Sequence, residues 1–408
     1  MPQGTVFEGN DFDIISYKNF VNLKIKRCLL FVFVELKFKL FVCRFFFNFN
    51  TFVFQNIKCY CVKGEKMAND VFLIGANDEH GQNPPTPGKR TPYITELNRQ
   101  IYENIFNRAA KNKFIEACLR NSFSVYDVKP ELSDISINER IRRINRQNLT
   151  LLVTFAYNAF TENFNNASGI EVFYSPNKRR ATESRFLAEN LYEKLLQGTA
   201  QTGRGVKTLD VGVLSSVNCP SSLVEAGFMT NRREAGLMIN PLFQTEVGEE
   251  CCAGVCDYLN VPFIPRDDLQ NYPTIRQGSS NNFVFLLQFI LNQLGYNLTV
   301  DGIFGSRTTD AVKQFQQQNS LTVDGIVGRN TWQFLLTLPP YPILRINSRG
   351  NYVYFLQNLL ESNFIQVGEI DGIFGQKTQN AVREFQQQNS LTVDGIVGIN
   401  TWSKLAQT

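Results

Sequence analysis

The chain has 408 residues, 43% of them hydrophobic and 12% aromatic, enough to bury the cores of two or three domains. Its formal charge of +4 is uneven: residues 1–66 hold ten Lys/Arg against five Asp/Glu, a net of +5, so the remainder sums to about −1. That leaves no basic field to argue for nucleic acid or an anionic membrane as partner, and nine cysteines without regular spacing fit free thiols better than a disulfide framework.

Residues 28–56 are dominated by Phe, Val, Leu, Lys and Asn. Glu35, Lys37, Lys39 and Arg44 interrupt every apolar run well short of the roughly 18 residues a membrane span needs. No short apolar core leads to a small-residue cleavage site. Residues 34–40 alternate like a strand without an evident partner element. This residue mix is what A/T-rich DNA encodes without selection, and Lys63-Gly64-Glu65-Lys66 back-translates to a purine-rich ribosome-binding stretch just ahead of Met67. The expectation is that Met67 is the true start and that 1–66 is a translated leader or a disordered extension.

From Met67 strands and helices alternate. Val71–Ile74 is a short apolar run, and a Pro/Gly-rich loop spans 81–92. Residues 96–119 carry helical periodicity through Leu97, Ile101, Ile105 and Ala109. Phe123–Tyr126 reads as a strand, and 135–147 as a helix with Arg140, Arg142, Arg143 and Arg146 on a solvated face. Leu151–Phe155, Ile170–Tyr174 and Ser222–Glu225 read as strands, 181–197 and 231–258 as helical. Lys178-Arg179-Arg180 reads as a solvated loop, and Cys251, Cys252 and Cys256 suit helix packing better than metal binding. The pattern predicts one α/β domain over 68–262 with a largely buried sheet. Linkers of turn-forming composition follow at 263–274 and 337–343.

The last third is a repeat. Asp301-Gly302-Ile303-Phe304-Gly305 recurs as Asp371-Gly372-Ile373-Phe374-Gly375, Phe315–Gly328 recurs unchanged as Phe385–Gly398, and Trp332 recurs as Trp402. Each unit reads as three helices joined by Asp-Gly turns, with Ala311, Val312 and Phe315, or Ala381, Val382 and Phe385, on the core face. The ordered pattern over 275–336 and 344–405 resembles the small three-helix peptidoglycan-binding domain of bacterial wall hydrolases. The resemblance implies wall binding, and two linked copies raise the effective concentration at a polymer.

Several ordered motifs in 68–262 resemble the zinc-dependent N-acetylmuramoyl-L-alanine amidases. His80-Gly81, followed by Thr86–Pro92, looks like the first metal loop of that family. Glu96, with Asn98-Arg99 behind it, sits where the family places a metal-binding glutamate at a helix start. Arg140 and Asn145 match the helix before the central strand. Leu223–Asn231 matches the segment that carries the catalytic glutamate, here Glu225. The resemblance implies an α/β domain with a mixed, mostly parallel sheet flanked by helices, ahead of two small all-α three-helix domains. It further implies a Zn2+ cofactor, a glutamate general base, and a cut between N-acetylmuramic acid and L-alanine. The chemistry fits, because amide hydrolysis needs activated water and a Lewis acid.

One departure stands out. Where the family's second metal histidine falls in a Ser-Ile-His-x-Asn-Ala pattern, this chain reads Thr154-Phe155-Ala156-Tyr157-Asn158-Ala159, and His80 is its one histidine. Three readings stay open. A neighbour, Asp78 or Glu79, is a compensating ligand; or the metal binds weakly through His80 and Glu96 alone; or the domain is a non-catalytic peptidoglycan-binding pseudoenzyme. The partner expected in every case is peptidoglycan, with no nucleic acid and no membrane span. A chain starting at Met67 carries no recognisable signal peptide, so it is expected to be made in the cytoplasm and to reach the wall by lysis or an unrecognised route.

Overall fold

The structure is a computed structural model that describes residues 33–36, 39–42, 72–338 and 341–408. Near the N-terminus β1 (Phe33–Leu36) and β2 (Lys39–Val42) pair antiparallel, so the alternating stretch pairs with its own neighbour. Met67, and with it the expected start of the chain, lies outside the described residues.

Six strands form the main sheet: β3 (Leu73–Asp78), β4 (Ser124–Asp127), β5 (Leu151–Asn158), β6 (Ile170–Tyr174), β7 (Gly203–Thr208) and β8 (Ser221–Phe228). Their order is β4-β3-β5-β8-β6-β7. Neighbours run parallel except β6 and β8, which are antiparallel. The sheet is therefore mixed and mostly parallel, as the resemblance implies. β5 reads as a nearly continuous apolar run, broken by Thr154, because both of its faces are covered. One face packs α1 (Glu103–Arg120), and against the other lies α2 (Ile137–Arg146), whose Ile144 meets Leu149 and Leu152. After α2 come α3 (Ala181–Gly198), the single turn α4 (Gly212–Ser215), α5 (Arg232–Leu237) and α6 (Pro241–Leu259). Phe106, Phe114, Phe155, Leu187, Leu191 and Val247 fill the core between α1, α3, α6 and the sheet.

Sequence reading and structure part at identifiable places. The helix expected over 96–119 begins at Glu103; Thr95–Leu97 is a separate 3-10 turn that Asn98 ends in the left-handed region, with φ 52°. The stretch 231–258 is two helices, because Asn240 caps α6 by accepting from Leu242 N and Phe243 N, and Pro241 occupies its first turn. Arg140 is not on a solvated face: its buried guanidinium donates to Asn77 Oδ1 at 2.7 Å and pairs with Asp134. Lys178 is likewise not a loose loop charge, since its ammonium donates to Cys219 O and Ser221 Oγ at 2.8 Å. Cys251, Cys252 and Cys256 are free and buried on α6, as packing residues should be.

Each repeat has three helices: α7 (Asn282–Gln293), α8 (Ser306–Gln318) and α9 (Arg329–Leu335), then α10 (Asn351–Ser362), α11 (Gln376–Gln388) and α12 (Ile399–Leu405). The recurring Asp-Gly turns are held by buried glutamines. Gln386 donates to Asp394 Oδ1 and Ile396 O at 2.9 Å and accepts from Gly395 N at 2.9 Å. Gln288, Gln316 and Gln357 grip the other three turns in the same way. The glycine in each turn has φ near 72°, a conformation that disfavours any side chain. No helix among the described residues is long and apolar enough to cross a membrane.

Candidate metal centre and active site

Parallel pairing of β3, β5 and β8 brings the carboxyl-terminal ends of three neighbouring strands to one edge of the sheet, where such sheets place their sites. β3 ends at Asp78 and hands over to Glu79 and His80. His80 has φ 67°, a strained conformation for a residue with a side chain. The surrounding loop enforces it. Gly81 N donates to Thr86 Oγ1 at 2.7 Å, Thr86 donates to Asp134, and Arg140 holds Asp134 in turn. A side chain at Gly81 would meet the backbone of Asp134 at 2.5 Å, so only glycine fits.

The His80 imidazole faces two carboxylates. Its Nε2 lies 3.3 Å from Glu103 Oε2 and 3.7 Å from Glu79 Oε2. Donor atoms of Glu79, His80 and Glu103 all fall within 4.8 Å of one another. Burial, helped by Lys89, lowers the His80 pKa to about 4, so the ring is neutral at pH 7 and Nε2 has no hydrogen-bond partner. Burial raises Glu103 to about 7, against hydrogen bonds from Asn107 Nδ2 at 3.0 Å and Tyr157 N at 3.2 Å. Burial also raises Glu79.

Glu225 stands on β8 with Ala156 as its pairing partner on β5. Its Oε2 is buried and has no partner. Burial pushes its pKa well up, and the neighbouring Glu103 and Glu79 push it further. Glu79, Glu103 and Glu225 line one open pocket of about 730 Å³, together with Lys89, Asn158 and Thr230. Phe160 stands at its rim, 71% exposed.

The other expected site residues lie elsewhere. Glu96 does not join the cluster. It sits on the exposed 3-10 turn and pairs with Arg232 at 2.7 Å; a hydrogen bond to its own backbone and that arginine hold its pKa down. The acid at the helix start is Glu103, which sequence reading passed over. Its signal was available: Glu103 shares one stripe of α1 with Phe106, Ala110 and Phe114, so an acid there had to be buried. Asp78 is fully buried between Lys111 at 2.6 Å, Lys129 at 3.1 Å and Arg108 at 3.3 Å, and stands outside the Glu79-His80-Glu103 group. Ala156 packs with Leu214 and Leu223 and offers no donor atom. Asn145 bonds Ser216 O and Asn218 N, fixing the loop that leads into β8.

Residues 80–257 match the family described as N-acetylmuramoyl-L-alanine amidase, and residues 280–335 and 349–405 match the peptidoglycan binding domain family. The amidase CwlL of Bacillus licheniformis is 31% identical over 160 residues, 32% of this chain and 44% of that protein. The amidase CwlM of Mycobacterium tuberculosis is 33% identical over 122 residues, 27% of this chain and 29% of that protein. The chain thus spans less than half the length of either relative. Among solved structures, the N-acetylmuramoyl-L-alanine amidase of Clostridium difficile 630 is 25% identical and covers 47% of this chain and 98% of its own, with a TM-score of 0.42. AmiC2 of Nostoc punctiforme is 20% identical with the same coverage of this chain, 99% of its own and a TM-score of 0.41. The chain carries a domain of the N-acetylmuramoyl-L-alanine amidase family followed by two domains of the peptidoglycan-binding family.

Proposed function

We propose that the chain hydrolyses the amide between N-acetylmuramic acid and L-alanine in peptidoglycan, with Glu79, His80 and Glu103 holding a zinc ion and Glu225 moving the proton. The observation that carries this reading is the convergence of three donor side chains, two of which line one open pocket with Glu225, whose Oε2 is buried and unpartnered. His80 Nε2 lies 3.3 Å from Glu103 Oε2 with no hydrogen-bond partner, and a cation between the two would satisfy both. One imidazole with two carboxylates is a set zinc accepts. Glu79 then supplies the third donor that Ala156 lacks, while Asp78 stays committed to its three cations.

Bound zinc supplies Lewis acidity toward the amide carbonyl and brings the pKa of water toward neutrality. Glu225 accepts the proton of the attacking water and delivers it to the alanine amine as the bond breaks; a carboxyl with a raised pKa suits both halves of that transfer. Lys89 lines the same pocket and its positive field opposes the crowding of three carboxylates. Phe160 offers a ring face to a sugar at the rim.

The absence of a donor at Ala156 favours a second reading, a wall binder without turnover. The two are separated by digesting purified peptidoglycan with the full chain and zinc and counting new L-alanine amino termini. Hydrolysis predicts release that a chelator abolishes and that Glu225→Gln reduces by at least about 100-fold, the usual worth of a general base. Wall binding with no release selects the second reading.

A further inference from the structure

The two repeats do not hang as separate beads. Asn319, at the end of α8 in the first repeat, accepts from Asn351 N at 2.9 Å and so caps α10 of the second, whose own N-cap residue is Gly350. Asn351 Nδ2 donates back to Phe334 O and Thr337 Oγ1, both at 3.0 Å. Gly350 has φ 108°, and a side chain there would meet Asn319 Oδ1 at 2.5 Å. Tyr352 donates to Leu338 O at 2.7 Å, and its ring meets Phe334 edge-on at 4.9 Å. The junction is built, and it leaves a groove of about 680 Å³ with one wall from each repeat.

Several residues that face this groove differ from their counterparts in the other repeat. Tyr341–Tyr354 aligns with Tyr272–Phe285, which places Arg349 at the position of Ser280 and Tyr354 at that of Phe285. In the first repeat the Phe285 ring covers the Gly302 turn; in the second, only Cβ of Tyr354 approaches Gly372, and the side chain stands 47% exposed in the groove. Arg349 makes no ion pair among the described residues, and Asp371, which feels its charge, is already held by Gln357 and the Ile373 amide. Across the groove Tyr296 donates to Gln318 Oε1 at 2.8 Å.

We infer that this inter-repeat groove is a binding site for an N-acetylated amino sugar that carries a carboxylate. An exposed tyrosine face stacks on a pyranose ring, the amides of Gln318 and Asn347 answer hydroxyl and acetamido groups, and Arg349 takes the carboxylate. Because both walls are fixed before binding, little ordering opposes it. The carboxylate has two sources in the wall, the stem peptide or the lactyl group that amide cleavage exposes. The inference rests on the wall-directed reading above and refines it.

The test is calorimetric titration of the full chain, freed of metal by chelator, with three soluble probes: a muramyl peptide, a peptide-free N-acetylmuramic acid oligomer and a chitin oligomer. The expected result is binding of at least one carboxylate-bearing probe about tenfold tighter than the chitin oligomer, a gap that Arg349→Gln removes. Tyr354→Ala weakens every probe about tenfold, and Tyr354→Phe restores it. Which carboxylate probe binds tighter identifies the source. Equal affinity for all three probes, or unchanged binding in folded Arg349→Gln and Tyr354→Ala, overturns the inference. So does absence of binding to any probe; if L-alanine release from whole wall persists in that case, the amidase reading survives and the groove site alone falls.

Discussion

A neutral imidazole and two carboxylates facing each other at 3.3 and 3.7 Å are an unfavourable arrangement unless something positive lies among them. The cost has a pH signature. Folded Glu103 holds its proton to about pH 7, whereas the unfolded chain releases it near 4.5; stability from this group therefore falls as pH rises through that window. His80 acts oppositely, since its folded pKa of about 4 lies below 6.5, but its contribution is complete once pH exceeds 6.5. Metal-free protein should lose thermal stability between pH 6.5 and 8, Glu103→Gln should flatten that slope, and zinc should reverse it because metal replaces the protons. Calorimetry with and without chelator reads all three. His80 and Glu225 can be singled out as candidates in the sequence because each sits in an ordered motif. Glu103 was not, because the apolar period through Leu97 and Ile101 runs on past a break that Asn98 makes in the backbone. Proposing Glu79 rather than Asp78 as the third donor rests on Lys111, Lys129 and Arg108 converging on the latter, which the sequence does not display.

At the scale of elements, the motif that announces the repeats is mainly a folding device. One glutamine satisfies the amide and carbonyl groups of each Asp-Gly turn, which explains why Gln, Asp, Gly and Thr recur together. Gln386→Leu leaves the buried Gly395 amide without a partner and the Ile396 carbonyl with only the long 3.5 Å bond from Thr401 Oγ1, at about 1–3 kcal/mol. A lower urea midpoint at unchanged m-value is the expected readout. Strands buried on both faces, such as β5, were readable as apolar runs. β7 was not, since Gly203–Thr208 is a polar edge strand with exposed residues at both ends and no apolar alternation. The split of α5 from α6 was written in Asn240-Pro241, a cap followed by a first-turn proline.

At the scale of the molecule, the second repeat leans on the amidase domain through residues that look like ordinary surface in the sequence. Arg99 pairs with Glu361, and Arg232 bridges Glu96 to the Phe364 ring, 3.9 Å from its centroid. Ser362 and Phe364 close over Gly236, where no side chain fits. Glu96 thus pairs with the arginine that makes this contact. The stretch read as a linker packs on the second repeat itself, because Tyr341 lies against Trp402 at 4.9 Å. Arg232→Ala should cost about 1 kcal/mol and speed amide exchange around 359–365 while leaving zinc content unchanged.

The most direct measurement is zinc-dependent release of L-alanine amino termini from peptidoglycan by the native chain and by Glu79→Gln. If Glu79 completes the metal site, activity saturates near one zinc per chain in the native protein, and the variant needs at least about tenfold more zinc or stays inactive. A variant that titrates like the native chain, or a native chain that binds wall and releases nothing at any zinc concentration, contradicts the account.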